Sequence, residues 1–190
     1  MSNEIAKSED SVSAALITNP TMEEIVGASG MYFVECIGPD GQVKWTDTIK
    51  NLVVNVGLQN MVQTYLAGTG YTAAWYLGLI TGPGSGNTYA AGDTLASHAG
   101  WAENSSYTGN RKTATFGTAT TANPSVISNS ASVASFAMNA TATIAGAFLC
   151  SAASGTSGTL FSEKNFTGGD KAVANGDTLN VTYQFSLTAT

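Results

Sequence analysis

The sequence predicts a mainly β protein: an antiparallel β-sandwich, of which a jelly roll is one form, with one short helix and an extended N-terminal arm. Three observations carry that expectation. Hydrophobic residues make up 43% of the 190 residues, enough for a core, while only 11% are charged, against ~25% in globular proteins at large. Short segments of alternating apolar and polar residues recur between Gly, Asn and Pro turns, and about eight of them at such spacing suit a sandwich. Two long stretches, 51–92 and 113–162, hold no Asp, Glu, Lys or Arg, and no βα unit repeats along the chain.

Residues 1–26 stand apart as an arm, and residues 27–190 form the β-sandwich domain. The arm holds Glu4, Lys7, Glu9, Asp10, Glu23 and Glu24, no aromatic residue, and one modest apolar run, Ala14-Ala15-Leu16-Ile17. Termini of this composition are usually loose, but in an assembly protein such an arm orders against a neighbour. The folded part begins near Gly30. A first strand at 31–37 is followed by the turn Gly38-Pro39-Asp40-Gly41, in which Pro sets φ and Gly admits positive φ. Residues 42–47 then alternate, with Val43 and Trp45 on one face, so the two segments read as a hairpin.

Residues 56–67 give the one helix: Leu58, Met61, Val62, Tyr65 and Leu66 recur at helical spacing, and Gly68 is a natural stop. Its apolar stripe is expected to pack on a sheet or sit near a subunit contact. Residues 74–81 read as a buried strand, followed by a glycine loop at 82–87. Residues 93–110 show no period and read as a long surface loop holding the only histidine. Beyond Arg111 the pattern is β throughout. Residues 112–119 alternate, and Asn123-Pro124 and Asn129-Ser130 mark turns. Residues 133–139 place Phe136 and Met138 on one side. Residues 143–150 are apolar on both faces, as a central strand is. Leu179, Val181, Tyr183, Phe185 and Leu187 alternate with polar residues in the last strand, which the turn Asn175-Gly176-Asp177 feeds.

Several function classes are disfavoured. A net charge of −6 with scattered basic residues argues against direct nucleic-acid binding, which needs clustered Lys and Arg. No apolar run approaches the ~20 residues that span a bilayer, so no membrane partner is expected. The polar, acidic start MSNEIAKSED is unlike a secretory signal, and synthesis in a cytoplasm follows as an expectation. Cys36 and Cys150 fit that compartment as free, buried thiols.

Chemistry is sparse. Asp93, Ser97, His98 and Glu103 contain the types of a hydrolytic set, but no glycine-flanked serine elbow accompanies them, and adjacent Ser97 and His98 rarely reach triad geometry. The bland alternative for His98 is a loop residue bonded locally or at an interface. Two distant cysteines and one histidine do not make a zinc cluster. Asp170 and Asp177 lie in acidic glycine turns without the spacing of a calcium loop, and turn chemistry explains both. Gly82-Pro83-Gly84-Ser85-Gly86 lacks the Lys-Ser/Thr ending of a phosphate loop. Trp75, Tyr76, Trp101 and Tyr107 could stack on a sugar, although aromatics of a sandwich are mostly core. No catalytic residue, metal or cofactor is expected.

Five segments taken together carry a resemblance: IKNLVVNVGLQNM (49–61), WYLGLITG (75–82), DTLASHAGWAE (93–103), TIAGAFL (143–149) and GDTLNVTYQFSL (176–187). In order and spacing, over residues 43–188, the set resembles small virion structural proteins of tailed bacteriophages and prophages. The resemblance implies a particle component and carries over no catalytic residue. The expectation is a capsid decoration (cement) protein on the outside of an icosahedral head, bound to the major capsid protein and to itself as a homotrimer. Contacts with capsid or neighbouring subunits are expected from Leu16, Ile17, Glu23 and Glu24 of the arm and from His98, Trp101, Glu103 and Tyr107 of the 93–110 loop. A head-fibre, neck or tail appendage with an adaptor or glycan-binding role is the second expectation, and a glycan hydrolase the third.

Overall fold

A computed structural model describes residues 27–68 and 74–189. In chain order the first elements are β1 (Gly27–Ile37), β2 (Val43–Lys50), β3 (Leu52–Val53), α1 (Asn55–Leu66) and β4 (Tyr76–Thr81). Then come β5 (Glu103–Asn104), β6 (Lys112–Thr113), β7 (Ser125–Ser128), β8 (Ala134–Ala137) and β9 (Ala142–Cys150). The last are β10 (Leu160–Asn165), β11 (Lys171–Val173) and β12 (Thr178–Thr188). Two antiparallel sheets pack as a β-sandwich. One runs β2-β1-β12-β7, with β8 also on β12; the other runs β3-β10-β9-β4-β5, with β11 on β9 and β6 on β4.

Period-2 patterning builds the first sheet. β1 and β12 pair over their whole length, from Gly27 opposite Thr188 to Ile37 opposite Thr178. Tyr32, Val34 and Cys36 of β1 and Leu179, Val181, Tyr183 and Phe185 of β12 point into the core. The expected hairpin forms as β1 and β2. Of its expected apolar face, Trp45 packs against Phe166 with ring centroids 5.8 Å apart, while Val43 is exposed.

The second sheet is apolar on both faces. Leu77 and Leu79 of β4 and Ala147 and Leu149 of β9 join the core between the sheets. Their neighbours Ile80, Phe148 and Cys150 belong to a second core, on the opposite face by alternation, and Ala145 joins them where the β4–β9 register shifts between Ile80 and Thr81. Gly78 faces Phe148 across the ladder, and a Cβ there would run into the Phe148 ring. Both cysteines are free and buried, as expected.

An apolar outer face needs a cover. The segment 82–111 supplies it: Leu95 and Trp101 are buried in the second core and Tyr89 packs against it. The expectation of a plain surface loop at 93–110 is thereby corrected. Between the sheets the core also holds polar groups. Tyr32 Oη lies 2.7 Å from Ser162 Oγ, Ser162 Oγ lies 3.3 Å from Tyr183 Oη, and Asn51 Nδ2 donates to Tyr183 Oη at 3.0 Å. Burial pushes the Tyr183 phenol up to about 12, so these hydroxyls remain neutral links between the sheets.

The helix forms where its periodicity places it, but of its stripe only Met61 packs against the core, while Leu58, Val62, Tyr65 and Leu66 are exposed. Gly57 is its only buried residue. A Cβ at Gly57 would lie 2.6 Å from the Phe161 carbonyl oxygen, so the helix meets β10 backbone to backbone near its first turn.

Candidate functional site

The stripe on α1 is the most unusual surface among the described residues. Leu58, Val62, Tyr65 and Leu66 are 37%, 58%, 88% and 78% exposed. Their spacing of four, three and one residues places them on one side of a helix. Solvent is an odd neighbour for such a row, because each aliphatic side chain gains ~1.5–3 kcal/mol from full burial. The helix has little stabilisation of its own: no side chain caps it, and neither end carries a charge that suits the helix dipole.

At the foot of this ridge lies a groove of about 460 Å³, within the ~300–1,000 Å³ of natural binding pockets. It opens between α1 and the end of the sandwich. Met61 and Tyr65 of α1 line it together with Trp75, Phe116, Ile127 and Leu187, while Asn60 and Thr64 supply polar atoms. No charged side chain lines it among the described residues. Trp75 is fixed by an edge-on contact with Phe161, with centroids 5.2 Å apart.

The cover segment holds the charged groups instead. Trp101 donates from Nε1 to Glu163 Oε2 at 2.6 Å, and its ring lies 4.9 Å from that of Phe148. Glu163 is fully buried on β10, and its Oε1 has no hydrogen-bond partner. Burial, then the adjacent Asp93, pushes its carboxyl up to about 8. Arg111, also buried, makes two bonds to the Glu103 carboxylate at 2.8 and 2.6 Å. It donates further to the Ala152 and Gly155 carbonyls, each at 2.9 Å. At the hinge of the cover, the Gly84 amide donates to Asp170 Oδ1 at 2.8 Å, and the Tyr89 hydroxyl bonds Asn165.

The expected contact residues therefore fall into different environments. Leu16, Ile17, Glu23 and Glu24 lie outside the described residues. Trp101 and Tyr107 are buried within the chain, Tyr107 edge-on against Phe136 with centroids 4.8 Å apart. Their rings are spent on the core and leave little to offer a partner or a sugar. His98 stacks on Trp101 at 3.9 Å, with Nδ1 3.3 Å from the Trp101 carbonyl oxygen. Glu103 is held by Arg111 and stays partly exposed. Asp93 accepts from the Ala90 amide at 3.0 Å, and the Ser97 amide donates to Thr94. Asp93, Ser97 and His98 are thus engaged in local turn bonds. No group of three His, Cys, Asp or Glu residues is arranged to hold a metal ion among the described residues.

Sequence reasoning passed over Glu163 and Arg111. A signal existed for the first: LFSEKN sets an acid directly after a long charge-free stretch, and an isolated charge in an apolar strand is either paired or neutral. Arg111 showed itself only as half of a basic pair. The chain matches no protein-family model, and no curated protein matches its sequence.

Proposed function

We propose that the protein is a virion structural protein of a tailed phage, decorating the outer surface of the head and stabilising it as cement through binding energy alone. The exposed apolar ridge on α1, beside an uncharged groove, carries the reading. Exposed apolar surface on a folded domain marks an interaction site. Docking that surface on another protein desolvates no charge, which removes the main cost of forming an interface.

The resemblance supports the same reading. Its five segments supply the first half of α1, β4, most of β9 and β12 and part of the cover, so they include Leu58 of the ridge and much of the two cores beneath it. Cement works by burying surface across subunits, ~800 Å² per partner in a standard interface. A homotrimer at local three-fold positions suits that task, because closed symmetry lets identical patches meet. The partners in this reading are the major capsid protein and further copies of the chain.

Copy number is the test. Particles should carry the protein on the order of hundreds of times, spread over the head lattice, if it follows capsid symmetry. Heads stripped of it should rupture at lower temperature and recover on re-addition. About six or twelve copies confined to the neck or tail would instead make it an appendage and end the cement reading.

A further inference from the structure

We propose that Leu16 and Ile17 of the chain's own N-terminal arm seat in the groove between α1 and the sandwich.

The chain enters the fold at the mouth of this groove. β1 begins at Gly27, opposite Thr188, and the next pair sets Ala28 opposite Leu187. Leu187 lines the groove, and Ala28 packs against the core behind it. Twenty-six residues precede Gly27. Ten steps separate Ile17 from Gly27, a reach of up to ~33 Å when extended, which is ample for a groove of about 460 Å³.

Chemistry selects the segment. The groove lining is mostly apolar, and its amide and hydroxyl side chains, Asn60, Thr64, Tyr65 and Tyr183, are uncharged. Ala14-Ala15-Leu16-Ile17 is the longest uncharged apolar run of the arm, flanked by Ser13 and Thr18. The stretch nearer β1 contains Glu23 and Glu24, whose charges an uncharged groove would have to desolvate. Asn19-Pro20 stands between the two stretches, and such a dipeptide favours a turn. Tethering adds the final term: a segment this close to its site is present at an effective concentration of about millimolar, so two aliphatic side chains suffice without high intrinsic affinity.

The proposal does not rest on the particle-binding reading, and its test uses the free protein alone. The full chain is compared with a Leu16→Asp/Ile17→Asp variant, both substitutions lying outside the described fold, using the dye bis-ANS as probe and light scattering for mass. Dye emission should rise about fivefold in the variant, because an uncovered apolar groove binds it. A peptide of residues 12–22 should displace that dye, and the two proteins should have the same mass. Equal emission in both proteins, or a peptide that displaces nothing, overturns the proposal. A fall in mass on substitution also overturns it, since the groove would then hold the arm of another copy.

Discussion

Two segments lie against β10, and they are held in opposite ways. The cover, 82–111, is irregular in conformation but anchored by Trp101 on Glu163, by Arg111 on Glu103 and two carbonyls, and by Leu95 in the second core. The helix α1 is regular but meets the cores only through Gly57, Val56 and Met61 and leaves Leu58, Val62, Tyr65 and Leu66 in solvent. Hydrogen-bonded order and burial are therefore decoupled here. The cover is part of the folded domain's stability, whereas the helix presents surface that other contacts must complete. A chain with few ionisable groups places two of them, Glu163 and Arg111, in buried pins for its least regular segment. Specific partners do there what periodic burial does in a strand.

The sharpest way to break this contrast is to remove the cover's main anchor. Trp101→Ala should cost about 3–5 kcal/mol, the usual range for a buried aromatic. It empties the second core beside Phe148 and leaves Glu163 Oε2 without its donor. Denaturant unfolding reads the loss directly. A cost below about 1 kcal/mol would show that the cover is not integral to the domain, as surface substitutions usually fall within ±0.5 kcal/mol.

Glu163 gives a smaller, pH-dependent effect. Its carboxyl is pushed from the ordinary 4.5 up to about 8 in the fold, chiefly by burial. Between those two values the folded chain holds a proton that the unfolded chain has released. Stability from this group therefore falls as pH rises from about 4.5 to about 8, and the slope vanishes on either side of that window. Glu163→Gln cannot ionise, still accepts from Trp101, and offers an amide N–H toward Asp93. Its thermal midpoint should be close to that of the parent at pH 5 and above it at pH 8.5. Parallel midpoint curves for the two proteins would show that Glu163 stays ionised in the fold.

The legible parts of the molecule were those with a strict period. β12 and the β1–β2 hairpin follow from alternation and turn chemistry, because each strand residue's face is set by its parity, and β9 follows from an unbroken apolar run. The cover was illegible for the converse reason. Leu95, Trp101, Asn104 and Tyr107 are buried at spacings of six, three and three, which match no repeating element, and the last three find partners on four different strands, β10, β9, β4 and β8. The helix shows a subtler limit. Periodicity identified which residues share a face but said nothing about what covers it. In the fold Gly57, whose missing side chain lets backbone meet backbone, makes the contact with β10, and only Met61 of the stripe reaches the core. Of the candidate site, the ridge residues were read correctly as a row, the groove beside them needed the fold, and Trp101 and Tyr107 proved to be core.

The ridge itself carries the smallest expected effect on the free chain and decides what it is for. Val62→Ser with Leu66→Ser replaces two exposed side chains that gain nothing from the chain's own core. Their loss should change stability by no more than about 1 kcal/mol, the sum of modest helix-propensity terms. Affinity for purified heads should fall at least about tenfold, since apolar anchors at the centre of an interface carry most of its energy. The two measurements work as a pair: thermal unfolding of the isolated variant, and its co-sedimentation with heads. Unchanged stability with lost binding identifies the ridge as a docking surface. A loss above about 2 kcal/mol in the free chain, beyond surface effects, would mean that the row is already covered within the chain. In that case the helix and the cover would be two versions of the same solution.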